Sequence, residues 1–203
     1  TFPGTRHSGM AEPPLEGRSP EAPEPADGGL SVVEGVCAPE RKVKKMKRYY
    51  VAYGSNLNVQ QMRWRCPGAR IIGTSELKDY RLLFKGSKTG SYLTVEPKKG
   101  CTVPVAVWEV TDQDELALDR YEGFPSFYYK KELVLDVKGI RTGKLRRRRA
   151  FVYIMREERP YGIPTSSYMS TCGQGYRFFG FPVDKLLEAH RYSRERMKPN
   201  ERR

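Results

Sequence analysis

The stretch VPVAVWEV, residues 103–110, is apolar at both of its alternating sets of positions, with Glu109 its single charged residue. A strand with one face in water is apolar at every second position only, so this run predicts a strand buried on both sides. Thr111 and Asp114 follow at once in the T-x-x-D spacing of a capping box, which predicts a helix starting at about residue 112. That helix runs through DQDELALDRYE and stops at Gly123, where a helix-ending glycine belongs.

Upstream, YYVAY at 49–53 is strand-forming and runs into Gly54-Ser55-Asn56, the composition of a tight turn. An amphipathic segment comes next, with Leu57, Gln61, Met62 and Trp64 spaced as in a short helix. Such a strand, turn and helix can aim backbone N–H groups and a helix N-terminus at one point, forming an anion pocket. The same turn serves equally as plain capping, with Ser55 or Asn56 as the N-cap.

Residues 69–86 predict one long bent strand, or two short ones interrupted near Ser75 to Lys78, and SYLTVEP predicts a short strand ended by Pro97. Beyond Gly123 the pattern predicts strand 128–137, a basic hairpin tip over RTGKLRRRR at 141–149, and strand 149–155. A loop with Gly and Pro leads to helices near 165–172 and 184–196, the second begun by Asp184 as cap. Strands outnumber helices and turns mostly join them, so the fold class is α+β, built on a mixed, barrel-like sheet.

Residues 1–45 are rich in Pro, Gly, Glu and Ala, with no Tyr, no Trp and one Phe. They cannot bury enough apolar surface to offset chain entropy and are expected to form a disordered tail ahead of one domain at 46–203. Met46, two residues before the first strand, is the expected translation start, with Met10 as the alternative and the residues upstream of it non-native. Neither a signal peptide nor a membrane-spanning apolar run is legible, so a cytoplasmic protein without a membrane partner is expected.

The net charge is +13, and 31 of the 37 Lys and Arg lie beyond residue 45 against 17 of the 24 Asp and Glu. So basic a domain raises a nucleic-acid reading. The cations cluster at the hairpin and in RERMKPNERR at the chain end, with no interleaved aromatic platform, so no specific nucleic-acid partner is expected. Cys37, Cys66, Cys101 and Cys172 include no CxxC pair, and the histidines are His7 and His190 alone. Neither a metal site nor a cysteine or serine paired with histidine is supported. His190 shares a helix face with Leu186 and Ala189, which suits a partly buried structural residue.

Glu122 stands out within LDRYEGFPSFYY, residues 118–129. It lies one turn after Leu118 and in the last turn of its helix, where the helix dipole disfavours a carboxylate. If Tyr121, Phe124, Pro125, Phe127 and Tyr128 enclose it, desolvation raises its pKa toward the value a general acid or base needs. In the other reading it points into water and pairs with Lys130 or Arg120. Periodicity leaves both open.

The combination of a strand into YGSNL, a VWEVT strand and LDxYEGxPxxY resembles the gamma-glutamylcyclotransferase-like family, including AIG2-like proteins and gamma-glutamylamine cyclotransferases. The resemblance spans about residues 47–192 and implies a compact mixed β-barrel with flanking helices. It implies a substrate loop of Tyr53, Gly54, Ser55, Asn56 and Leu57, with Tyr128 as a further substrate-binding residue and Glu122 as catalytic acid/base. The implied ligand is a small γ-glutamyl compound, cyclised to 5-oxoproline with no metal or cofactor. A non-catalytic small-molecule-binding module on the same fold is the alternative, and a nucleic-acid-binding protein a further one.

Overall fold

The computed structural model describes residues 47–87 and 90–197. The expected tail at 1–45 and the end of the C-terminal basic run lie outside the described residues. The described residues form five strands interspersed with helices: β1 (Arg48–Ala52), a 3-10 turn (Ser55–Leu57), α1 (Val59–Arg65), β2 (Arg70–Ser87) and β3 (Gly90–Val110). There follow α2 (Asp112–Glu122), β4 (Tyr128–Gly139), β5 (Leu145–Met155), α3 (Ser166–Phe178) and α4 (Asp184–Arg196). The sheet closes into a barrel in the order β1-β3-β2-β4-β5. All pairings are antiparallel except the closing one, where β1 runs parallel to β5 with Tyr50 opposite Phe151 and Val51 opposite Val152. The fold is therefore the expected α+β class with a mixed barrel, filled by Val51, Phe84, Val95, Val105, Trp108 and Tyr153, all buried.

β2 is one strand rather than two. Its register shifts between Ile71 and Gly73 and again between Lys78 and Tyr80, so bulges supply the bend. Asp79 sits in the second bulge with φ 61°, and its carboxylate accepts the Gly100 N–H at 2.8 Å. Nor does Pro97 end a strand: β3 runs through it and through Pro104. β1 covers β3 only from Ala106 to Val110, so both prolines stand where the other edge has no strand partner and a missing N–H costs little.

α2 matches its sequence signals. Thr111 and Asp114 form the reciprocal capping box, and Gly123 ends the helix at φ 61°, a conformation that L side chains rarely adopt. α1 differs from expectation because the 3-10 turn intervenes, so its N-cap is Asn58, whose Oδ1 accepts the Gln61 N–H at 3.1 Å. Trp64, expected on the apolar face, is 94% exposed, while Met62 is buried. Asp184 is the first residue of α4 rather than its cap, a position held by Val183 without a side-chain bond. Arg146 to Arg149 belong to β5, not to the hairpin tip, with Arg149 paired to Glu132 at 3.6 Å. α4 packs on β2 through the Ser193 hydroxyl, which accepts the Phe84 N–H at 2.8 Å, and half-buried His190 meets Phe84 edge to face.

α3 packs directly on the 3-10 turn. A Cβ at Gly175 would lie 2.5 Å from Leu57 Cβ and 2.6 Å from its carbonyl carbon, so helix and turn touch through backbone. Gly173, two residues earlier, would meet only the Arg177 guanidinium at 3.4 Å. Gly175→Ala is expected to destabilise by about 1–3 kcal/mol through overpacking. Gly173→Ala should stabilise by about 0.5–1 kcal/mol through helix propensity. Urea melts of the two variants check these opposite signs.

Candidate active site

A cavity of about 360 Å³ opens where β1, the 3-10 turn, the end of α2 and α3 converge. Tyr53, Gly54, Ser55, Asn56, Glu122 and Tyr128, all expected at a substrate site, line it. Leu57 does not. It is fully buried under the turn against Gly175, so its contribution is to seat the turn on α3. Ser55 and Asn56 are held by the turn's own bonds, from Leu57 N–H to Gly54 O at 3.0 Å and from Asn58 N–H to Ser55 O at 2.9 Å. Among the described residues the amides of Ser55 and Asn56 themselves make no hydrogen bond, as the first donors of a helical turn do. A Cβ at Gly54 would meet the Tyr168 hydroxyl at 3.3 Å and Leu93 Cβ at 3.4 Å, narrowing the space between them.

Glu122 ends α2 and points into this cavity half-buried. Its Oε1 accepts Asn56 Nδ2 at 2.8 Å, and the same Nδ2 also donates to the Tyr50 hydroxyl at 2.8 Å. Asn56 Oδ1 accepts from Arg65, whose guanidinium stacks on the Tyr121 ring 3.2 Å from its centre. Burial pushes the Glu122 carboxyl up to about 7, against the Arg65 charge and the Asn56 hydrogen bond, which pull it back. Lys130 does not pair with it, being held 2.6 Å from Glu115 and 2.7 Å from Asp119. Arg120 lines the cavity, yet Glu122 forms no ion pair among the described residues.

The enclosure differs from the expected aromatic set. Tyr121, Phe127 and Tyr128 line the cavity, whereas Phe124 packs toward Tyr153 and Pro125 is exposed. Tyr50, Tyr92, Tyr153 and Tyr168 supply the rest of the ring wall. Tyr53 donates to Tyr153 O at 2.7 Å, Tyr128 to Leu93 O at 3.0 Å and Tyr153 to Asp119 at 2.6 Å, so their protons are used within the protein. Tyr50 differs: its oxygen accepts from Asn56, and its proton has no acceptor among the described residues. Burial raises Tyr50, Tyr53, Tyr128 and Tyr168 well above the usual phenol range, which keeps them neutral donors. Tyr176 is buried away from the cavity.

Sequence reasoning missed Tyr50 and Arg65. The alternation of β1 could have paired Tyr50 with the buried set, but Arg65 looks like any cation in the last turn of a helix. Among the described residues no cysteine or histidine lines the cavity, and burial raises the Cys66 and Cys172 thiols to about 12. Among the described residues no three His, Cys, Asp or Glu side chains gather as a metal site. No described helix is long and apolar enough to cross a membrane. Arg146 to Arg149 do not line the cavity.

A family model described as gamma-glutamyl cyclotransferase, AIG2-like matches residues 50–170. Gamma-glutamylcyclotransferase from Homo sapiens is 29% identical over 157 residues, covering 71% of this chain and 80% of that protein. The Mus musculus protein of the same name is 28% identical over 156 residues, covering 70% and 80%. A solved structure titled gamma-glutamyl cyclotransferase superposes with a TM-score of 0.59 at 23% identity, over 77% of this chain and 90% of that one, which supports the fold.

The raised carboxyl of Glu122 has a stability signature. Below its ordinary value of 4.5 it is protonated folded or unfolded, and between there and about 7 the folded state alone keeps the proton. Stability therefore falls as pH rises through that window, and the full penalty applies above it. Glu122→Gln removes the penalty. Its stability gain over wild type in urea melts is expected to be larger at pH 8 than at pH 4.5 by about 1–3 kcal/mol.

Proposed function

Because the chain belongs to the gamma-glutamyl cyclotransferase, AIG2-like family, we propose that it cyclises a γ-glutamyl substrate to 5-oxoproline and releases the attached amine or amino acid. The observation that carries this reading is the Glu122 carboxyl, raised to about 7 in a cavity walled largely by tyrosines and the turn at 54–56. Such a group accepts and returns a proton near neutral pH.

In the proposed reaction the ionised Glu122 takes a proton from the substrate's α-ammonium group. The freed amine attacks the γ-carbonyl carbon of the same molecule and closes a five-membered ring. Negative charge develops on the carbonyl oxygen, where the unclaimed proton of Tyr50 and the free amides of Ser55 and Asn56 can stabilise it. Glu122 then delivers its proton to the departing nitrogen and the C–N bond breaks. The ring nitrogen, positively charged since the attack, gives its second proton through Glu122 to the released amine, so that neutral lactam 5-oxoproline forms with an ammonium product.

Nucleophile and electrophile belong to one substrate, so holding it folded supplies much of the rate enhancement. Ser55 is a poor candidate for a covalent nucleophile, since its hydroxyl shares a 3.3 Å hydrogen bond with the Tyr121 hydroxyl rather than with a base.

The test incubates the purified full chain with γ-glutamyl amino acids, γ-glutamyl amines and glutathione, and looks for 5-oxoproline by mass spectrometry. Product from at least one class is expected, and no product from any would overturn the reading. Glu122→Gln should lower kcat by about 10²–10⁴, and wild-type kcat/KM should rise with pH through about 7 as Glu122 ionises. Tyr50→Phe should lower kcat by about 10²-fold, the usual cost of one oxyanion donor. Full activity of either variant in the same assay would remove that residue from the mechanism.

A further inference from the structure

We propose that Arg65 is the positioning residue of this site: it fixes which way the Asn56 amide points and holds a positive charge behind the Glu122 carboxylate. The inference rests on the proposed cyclotransferase reading only for its consequence in catalysis. Its geometry stands independently.

A side-chain amide has a donor end and an acceptor end, and what it faces decides its orientation. Asn56 Nδ2 faces two oxygens, Glu122 Oε1 and the Tyr50 hydroxyl, each at 2.8 Å. Flipped, the amide would turn its carbonyl toward the ionised carboxylate and lose that bond, although the Tyr50 hydroxyl could still donate to it. On the other side Arg65 can only donate, so it accepts no arrangement except the one with Oδ1 toward it. The guanidinium thus locks the amide, and the amide locks the carboxylate.

The lock itself is anchored. Arg65 lies in the last turn of α1, and its flat guanidinium rests on Tyr121, the residue before Glu122 on α2. Planar stacking suits arginine better than lysine. Arg65 forms no salt bridge among the described residues, so its charge is not cancelled by a paired carboxylate. Its charge is the largest influence opposing burial at Glu122.

The other groups facing Glu122 cannot replace that charge. From β1 and the turn come Tyr50, Tyr53 and Asn56; from β4, β5 and α3 come Tyr128, Tyr153 and Tyr168, all uncharged near neutrality. α2 adds Tyr121 and the exposed Arg120, which shares the cavity wall but makes no bond to the Asn56 and Glu122 pair. Asp119 is occupied by Tyr153 and Lys130.

The experiment follows the Glu122 carboxyl by carbon-13 NMR in the full chain, assigned with Glu122→Gln, in wild type and in Arg65→Met, Arg65→Gln and Arg65→Lys. Methionine removes donor and charge, glutamine keeps a donor, and lysine keeps the charge. The titration midpoint is expected to rise by about one pH unit in Arg65→Met, less in Arg65→Gln, and to return most of the way in Arg65→Lys. With γ-glutamyl-alanine as probe, Arg65→Met should lose about tenfold in kcat/KM at pH 6.5 and recover to within about threefold at pH 9. An unchanged midpoint, or equal loss at every pH with a lowered melting temperature, would overturn the proposal and leave Arg65 as packing. A midpoint that moves as expected in a chain that makes no 5-oxoproline would sink the cyclotransferase reading and leave Arg65's role intact.

Discussion

The hydrogen-bonded closure of β1 between β3 and β5 is the constraint on which the site depends. β1 and β3 are antiparallel, with Arg48 opposite Val110 and Ala52 opposite Ala106, so β3 ends level with the start of β1. α2 leaves from that end and climbs back beside the barrel. Eleven helical residues rise about 16 Å, and five strand residues extend about 16 Å. The end of the helix therefore arrives at the height of the turn after β1, which brings Glu122 to Asn56. Two tethers keep the helix on that track. Arg48 grips Glu115 through two bonds of 3.0 Å, and Asp119 takes Tyr153 and Lys130 from the strands beneath.

Within that frame the electrostatics are economical. The chain carries +13, yet among the described residues Arg120 is the cation that lines the cavity, and Arg65 is the one whose charge acts on Glu122, from behind Asn56. A carboxylate ringed by cations would stay ionised and be a weak base. One enclosed by rings, with one charge behind an intervening amide, sits near the protonation boundary. Net charge is a poor guide here because barrel strands export their cations to water, as β5 does with Arg146, Arg147 and Arg149.

Local punctuation was the legible part of the sequence. The capping box at Thr111 and the glycine stop at 123 are set by neighbours a few residues away and stand as read, while the turn at 54–56 lies where expected but passes the capping of α1 on to Asn58. Glu122 was legible for the same reason, since its oddity is its place within its own helix. What the sequence hid depends on distant partners. Pro97 reads as a terminator until β1 proves too short to cover that edge of β3, and Leu57 reads as part of a ligand loop until α3 lands on it through Gly175. Arg65 is legible only once Tyr121, far along the chain, lies beneath it.

This division between local and distant also separates chemistry from specificity. On the proposed reading the proton-handling set, Tyr50, Asn56, Arg65 and Glu122, is built on β1, the turn after it and the two helices that flank it, so barrel closure and the α2 track fix its geometry. The more exposed wall is made differently: Tyr92 on β3 is 37% exposed and Tyr121 47%, with Phe127 in the loop after α2 and Tyr168 on α3. On the proposed reading the γ-glutamyl part must reach Glu122, so the leaving group extends toward these rings. Tyr92 meets both Phe127 and Tyr168 edge to face, at 6.4 and 5.2 Å, so one substitution reshapes the wall without reaching the core. Leaving-group preference can then change among chains of this fold while the Glu122 environment, and the chemistry it permits, stays fixed.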